Sequence, residues 1–153
     1  MKKLLLTALT CAITFTASAA DNPFVGTWEI NMAKSKRDAA AQPIKTRTIN
    51  YTMGDSVLKG AVAIDGRSLA PVLYDGQEHS VESPTTASTH RAYTHITGTA
   101  KGNTLHTEFK TGRKVVAIRK SSLSADGRTM TVIADATLPD GTKTHSVEVY
   151  DKR

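Results

Sequence analysis

The chain of 153 residues has a single cysteine, Cys11, and the first 19 residues show why even that one is expendable. Lys2 and Lys3 supply a positive start. An apolar run diluted by threonines covers residues 4–15, and Ala17-Ser18-Ala19 gives the small-x-small pattern that signal peptidase reads. The run is shorter than the ~20 apolar residues of a membrane-spanning helix. Ala8-Leu9-Thr10 ahead of Cys11 is a poor lipoprotein signal. Residues 1–19 therefore read as a removable export signal, with Ala20 or Asp21 as the new N-terminus and a periplasmic or secreted destination. Cleavage discards Cys11, so the mature chain has no disulfide, no thiol nucleophile and no thiolate metal ligand. Without cross-links it must rely on its core alone. About 134 residues are enough for one such core and not for two, which makes residues 20–153 one domain.

Aromatic side chains are also scarce: one Trp, four Tyr and three Phe. Few lie among the basic residues, so the interleaved pattern of a nucleic-acid surface is missing and no nucleic-acid partner is expected. Two of the 20 Lys and Arg leave with the signal, and the remaining 18 against 14 Asp and Glu give +4. The basic residues are scattered apart from Lys34, Lys36 and Arg37. That reads as a solvated face, with room for a preference for anionic ligands.

Long helical patterns are lacking too. What is there instead is a chain rich in Thr and Val and punctuated by turns. Asp65-Gly66, Asp75-Gly76, Asp126-Gly127 and Asp140-Gly141 supply the positive φ angles of tight hairpins, with weaker signals at Gly54-Asp55, Gly102-Asn103 and Thr111-Gly112. Between them the sequence predicts strands over residues 25–33, 45–53, 57–64, 68–74, 78–82, 88–97, 104–111, 114–121, 128–136 and 142–150, with a loop at 83–87 around Pro84. Every connection after Pro43 is short, so sequence neighbours should pair antiparallel. A meander of this length exposes two edges unless it closes, and closure into a barrel removes them. The expected fold is all-β: a single antiparallel up-and-down barrel of 8–10 strands. Residues 34–42 are the one helix candidate, favoured by Ala39-Ala40-Ala41 and ended by Pro43, but nine residues are marginal. A short helix or a loop after the first strand remain equal alternatives.

The most specific stretch is Phe24-Val25-Gly26-Thr27-Trp28-Glu29-Ile30. It resembles the opening strand of the calycin superfamily, where Gly-x-Trp begins a ligand-holding barrel, and its form is similar to the fatty-acid-binding proteins. Gly26 lets the backbone bend closely at the barrel base, and Trp28 plugs it with apolar surface. In that frame Trp28, Ile30 and Met32 face in, and Thr27, Glu29 and Asn31 face out. The chain end, Val149-Tyr150-Asp151-Lys152, is similar to the closing strand of the same family, whose Arg-x-Tyr pair holds a fatty carboxylate. Tyr150 matches the tyrosine, whereas Glu148 stands at the arginine position. An acid there would repel a carboxylate, so the fatty-acid inference stops at that residue. Residues 34–42 are also too short for that family's two-helix lid. A fuller likeness is to a group of exported bacterial lipocalin-like proteins, through Gly26-Thr27-Trp28, residues 31–36 and residues 124–132. That resemblance implies a fold more firmly than a function.

Chemical motifs are few. His79, His90, His95, His106 and His145 have no spacing of a recognised metal motif. His90 and His95 fall on opposite faces of an unbroken strand, although a barrel could gather His95 and His106. No metal site and no cofactor is expected. There is no Gly-x-Ser-x-Gly turn and no phosphate-cradling glycine loop before a helix. Arg91, Tyr93 and His95 share one face of the strand at 88–97, opposite His90, Ala92, Thr94 and Ile96. If the first face points inward, these three and Glu108 could support acid–base chemistry. If Ala92 and Ile96 face the core, as their apolar character favours, the polar row is solvated. The last strand poses the same question. Alternation favours Val147 and Val149 inside with His145, while the family resemblance places Glu148 and Tyr150 inside, and the two frames exclude each other.

The reading that follows is a barrel binding a small apolar or amphipathic molecule, lined by Trp28, Ile30, Met32, Tyr51, Tyr74, Tyr93, Phe109 and Ile118. The alternative is a small barrel enzyme of isomerase, lyase or cyclase type, using His95, Tyr93 and Arg91 as catalytic groups. A third is an interaction module with a filled core. The expected partner is a small molecule, with no transmembrane segment after signal cleavage and the oligomeric state left open.

Overall fold

The structure, a computed structural model, describes residues 22–41, 43–81 and 93–153. The expected export signal with Cys11, the expected loop around Pro84, and His90 and Arg91 lie outside the described residues. Among the described residues eleven strands follow one another: β1 Gly26–Ile30, β2 Arg47–Gly54, β3 Val57–Ile64, β4 Arg67–Ser68, β5 Val72–Leu73, β6 Glu78–Ser80, β7 His95–Lys101, β8 Thr104–Thr111, β9 Lys114–Leu123, β10 Thr129–Thr137 and β11 Lys143–Lys152. All pairings are antiparallel, in the order β4-β3-β2-β1-β11-β10-β9-β8-β7-β6. The first and last strands meet at the centre: Trp28 lies opposite Lys152 and Ile30 opposite Tyr150. No helix among the described residues is long and apolar enough to cross a membrane.

The Asp-Gly turns behave as their chemistry demands. Asp65 and Gly66 take φ of 48° and 80°, the paired positive values of a tight hairpin. Asp75, Asp126 and Asp140 each accept a hydrogen bond from the backbone N–H two residues on, so the side chain closes the turn that glycine permits.

The sheet curls until β5 bridges its far sides. Val72 and Leu73 pair with Gly60 and Lys59 of β3, and Gly76 N–H donates to the carbonyl of Gly98 in β7 at 2.9 Å. Only a glycine fits at this seam, because a Cβ on Gly98 would overlap the carbonyl oxygen of Leu73. The expected strand at 68–74 is split here into β4 and β5. Pro71 sits between them, and proline has no N–H to give to a ladder.

Of the two alternatives for the segment after the first strand, residues 34–41 take the loop. Short polar side chains capture the backbone before a helix can. Asn31 Oδ1 accepts from Lys34 N–H, Ser35 Oγ donates to the Asn31 carbonyl and accepts from Val149 N–H, and Asp38 N–H donates to Ser146 Oγ. Lys36 and Val147 exchange backbone bonds of 2.7 and 2.8 Å. The segment thus runs along β11 where β1 has ended. This also explains Met32: it lies beyond β1, in the turn, and is 43% exposed rather than lining the barrel.

Apolar residues close one end of the barrel. Phe24, Trp28, Met130 and Tyr150 have no exposed surface, and Tyr51, Leu58, Leu105 and Val132 pack with them. Trp28 Nε1 donates to the Phe24 carbonyl at 2.8 Å, which satisfies the one polar atom of the plug. Gly26, at φ 127°, lets the strand approach the Lys152 side chain.

Candidate functional site

Above that apolar base the inward rows change character. In β11, Thr144, Ser146, Glu148 and Tyr150 are buried, and His145 is exposed. The alternation argument, which favours Val147 and Val149 inside, fails because the lumen is polar at this height. Arg47 begins β2 on the face that continues through buried Ile49 and Tyr51. Arg119 of β9 lies opposite Thr107 of β8, which is also buried. Arg37 reaches in from the segment beside β11. Three guanidinium groups therefore converge on one carboxylate.

The geometry is tight. Arg47 Nη1 donates to both Glu148 oxygens at 2.6 Å. Arg119 Nη2 donates to Oε2 at 2.7 Å, and the Tyr150 hydroxyl donates to the same oxygen at 2.8 Å. Arg37 Nε lies 3.4 Å from Oε1, an ion-pair distance. Burial works against the Glu148 carboxylate, but Arg119 and Arg47, helped by the Tyr150 hydroxyl and Arg37, more than offset it and bring its pKa from 4.5 to about 2. Arg119 is disfavoured by burial too, yet Glu148 and the neighbouring phenols hold it charged. Burial raises the pKa values of Tyr150 and Tyr51, which keeps both phenols neutral at ordinary pH. Three positive charges face one negative, and the cluster keeps an excess of two. Two of its donors, Arg37 Nε and Arg47 Nε, are buried with no hydrogen-bond partner among the described residues.

A cavity of about 130 Å³ opens over this cluster. Arg37, Arg47, Arg119 and Glu148 contribute its charged wall, and Val62, Ile64, Leu69, Val72, Phe109 and Leu138 are among its apolar residues. It shares Val116, Ala117, Ile118, Asp135, Ala136 and Thr144 with a more open recess of about 480 Å³ at the ends of β9–β11. A separate void of about 30 Å³ lies between Tyr51, Gly60, Tyr74, Thr107, Phe109 and Ser121, among others.

The sequence-derived lining residues distribute as follows. Tyr93 and Phe109 stand in the wall of the 130 Å³ cavity, their rings in edge contact at 5.0 Å. Tyr51, Tyr74 and Phe109 border the small void. Ile118 reaches the cavity wall, although its register partners Glu108 and Asp135 belong to the outward row. Trp28 and Ile30 lie deeper, in the packed base. Arg37, Arg47, Arg119 and Glu148 were not among the candidates. A signal did exist: Arg47-x-Ile49-x-Tyr51 puts an arginine in phase with two inward apolar residues, a costly placement unless a carboxylate waits inside.

The proposed catalytic face does not assemble. Thr94 N–H donates to the Lys110 carbonyl at 2.7 Å, while His95 is the register partner of Lys110. Two residues thus oppose one, which breaks the alternation. Tyr93 turns into the core with Ile96, and His95 turns outward, so the pair sits on opposite sides of the sheet. Glu108 is on the outer side as well, with His106 at 3.2 Å and Lys110 at 3.9 Å. His79 pairs with Asp75, and His145 with Asp135, in similarly open settings. Among the described residues no three His, Cys, Asp or Glu side chains come together to hold a metal ion.

No family model and no curated protein sequence matches the chain. Solved structures do match along nearly its whole described length. A REP1-NXSQ fatty acid transporter superposes with a TM-score of 0.59 at 12% identity, covering 84% of this chain and 95% of its own. A Schistosoma mansoni fatty acid binding protein in complex with arachidonic acid gives 0.58 at 12%, covering 86% and 96%. The fold is the antiparallel β-barrel of these proteins. The zebrafish ileal bile acid-binding protein complexed with cholic acid shares that barrel at a TM-score of 0.56 and 11% identity, covering 86% of this chain and 99% of its own. At such identities the likeness is one of fold, and it agrees with the Gly26-x-Trp28 opening.

Proposed function

We propose that this chain is an exported lipocalin-like carrier that holds a small amphipathic molecule in its lumen, with an anionic head at Arg37, Arg47 and Arg119. One observation carries the reading: a buried cluster with two excess positive charges forms the floor of a cavity whose remaining wall is mostly apolar. Buried charge without a counter-charge is costly, and an anion supplied by a ligand offsets that cost. The surrounding aliphatic wall suits a hydrocarbon. Small-molecule sites usually offer a few hundred Å³, so a ligand larger than the inner 130 Å³ would extend its tail into the adjoining recess. Structural neighbours named for fatty acid transport and for complexes with arachidonic and cholic acids support an amphipathic acid as the ligand class.

In this reading Glu148 does not veto an anion, as its position opposite the family's arginine suggests from sequence. It is an internal counter-ion that leaves the cluster positive. The signal-like pattern of residues 1–19 supports export to the periplasm or outside the cell.

Native mass spectrometry of protein purified from its own host tests the proposal. A co-purifying small molecule, or a bound adduct on adding octanoate, is expected. An apo mass unchanged by octanoate would contradict it.

A further inference from the structure

Building on this reading, we infer that the head of the preferred ligand is doubly negative, of the phosphate-monoester class, rather than a single carboxylate.

The argument is a charge count in a buried site. Arg37, Arg47 and Arg119 surround Glu148 at 3.4 Å or less, and the side chains of Arg47 and Glu148 are 6% and 3% exposed. The Tyr150 and Tyr51 phenols are neutral, and the one other carboxylate in the cavity lining, Asp135, is more than half exposed. A monocarboxylate would leave one guanidinium uncompensated. A dianion leaves none. The donors agree with the count. Arg47 Nε is buried with no hydrogen-bond partner among the described residues, and Arg37 Nε, 3.4 Å from Glu148 Oε1, makes no hydrogen bond there either; both side chains line the cavity. Guanidinium groups recognise phosphate oxygens through such N–H pairs. The other charged groups near the cavity are Asp135, paired with His145, and Asp38, which accepts from the backbone of Ala40 and His145. Asp135 and His145 are more than half exposed, where water screens them. They therefore do not neutralise the interior. The cavity holds roughly four water volumes and its walls are mostly aliphatic, which calls for a tail beyond the head.

Calorimetric titration with three probes tests this: octyl phosphate, octyl sulfate and inorganic phosphate. Octyl sulfate has the same tail and tetrahedral head but a single charge at every pH used. At pH 8 the phosphate ester is doubly charged, and at pH 5 it carries one proton more, since its second pKa is about 6. Octyl phosphate should bind about tenfold tighter than octyl sulfate, or better, at pH 8, and the gap should close at pH 5. Because the sulfate stays a monoanion, its own pH profile reports any contribution of the Asp135–His145 pair. Arg37→Gln, which removes the cation held farthest from Glu148, at 3.4 Å, should narrow the gap at pH 8. Equal affinity for the two esters at pH 8 would overturn the dianion and leave the amphipathic-anion reading standing. Inorganic phosphate binding as tightly as octyl phosphate would overturn the need for a tail. Failure of both esters and of octanoate would overturn the parent reading as well.

Discussion

Glu148 is the residue on which the interior turns. Its pKa is lowered from 4.5 to about 2 in the folded state. A depressed carboxyl pKa adds stability that is complete above 4.5 and is lost as the pH falls toward 2. Thermal melts across that window should show a falling Tm for the natural chain and a flatter profile for Glu148→Gln. An identical profile in the two proteins would show that the carboxylate is not held by its arginines. At pH 7 the variant should be destabilised by about 3–5 kcal/mol, the usual cost of removing one partner from a buried ion cluster. It should also recover more stability from added anions than the natural chain does, because its cluster is one charge more positive. Denaturation in the presence and absence of octyl sulfate measures this.

At the scale of elements, the seam between β3, β5 and β7 depends on Gly98. Gly98→Ala should cost about 1–3 kcal/mol, the range for forcing an extra carbon into a packed site, because the new Cβ meets the Leu73 carbonyl. A urea midpoint equal to that of the natural chain would contradict it. Elements were well legible in the sequence where local chemistry decides them. The strands β3 and β8 have the expected bounds, since glycine-containing turns fix both ends of β8 and the preceding hairpin fixes β3. Legibility failed where tertiary context overrides a local rule. Ala39-Ala40-Ala41 speaks for a helix, but Asn31, Ser35 and Asp38 tie that segment to β11. The period of two inverts the inward face of β11 because apolar character is a poor guide to the inside of a polar lumen. The extra residue at Thr94 and His95 then splits a face that an unbroken strand would have kept together. The candidate site was least legible of all. Its members come from β2, β9, β11 and the segment after β1, and nothing in single-strand spacing links Arg47, Arg119 and Glu148 before the barrel closes.

The whole molecule is a barrel with one end sealed by apolar packing and an arginine cluster above that base. Phe24, Trp28, Met130 and Tyr150 close the base without any exposed surface, so access lies toward Leu69, Leu138 and the recess at β9–β11. Under the proposed function a ligand lies with its head at the arginines and its tail toward the opening. Nuclear magnetic resonance of the protein labelled at arginine side chains and at Leu and Val methyls tests that placement most directly. On titration with octanoate, the side-chain N–H signals of Arg47 and Arg119 and the methyls of Val62 and Leu69 should shift together and saturate at one equivalent. Shifts confined to surface residues such as Lys34 and Arg153, with the interior arginines unchanged, would contradict a lumenal anion site.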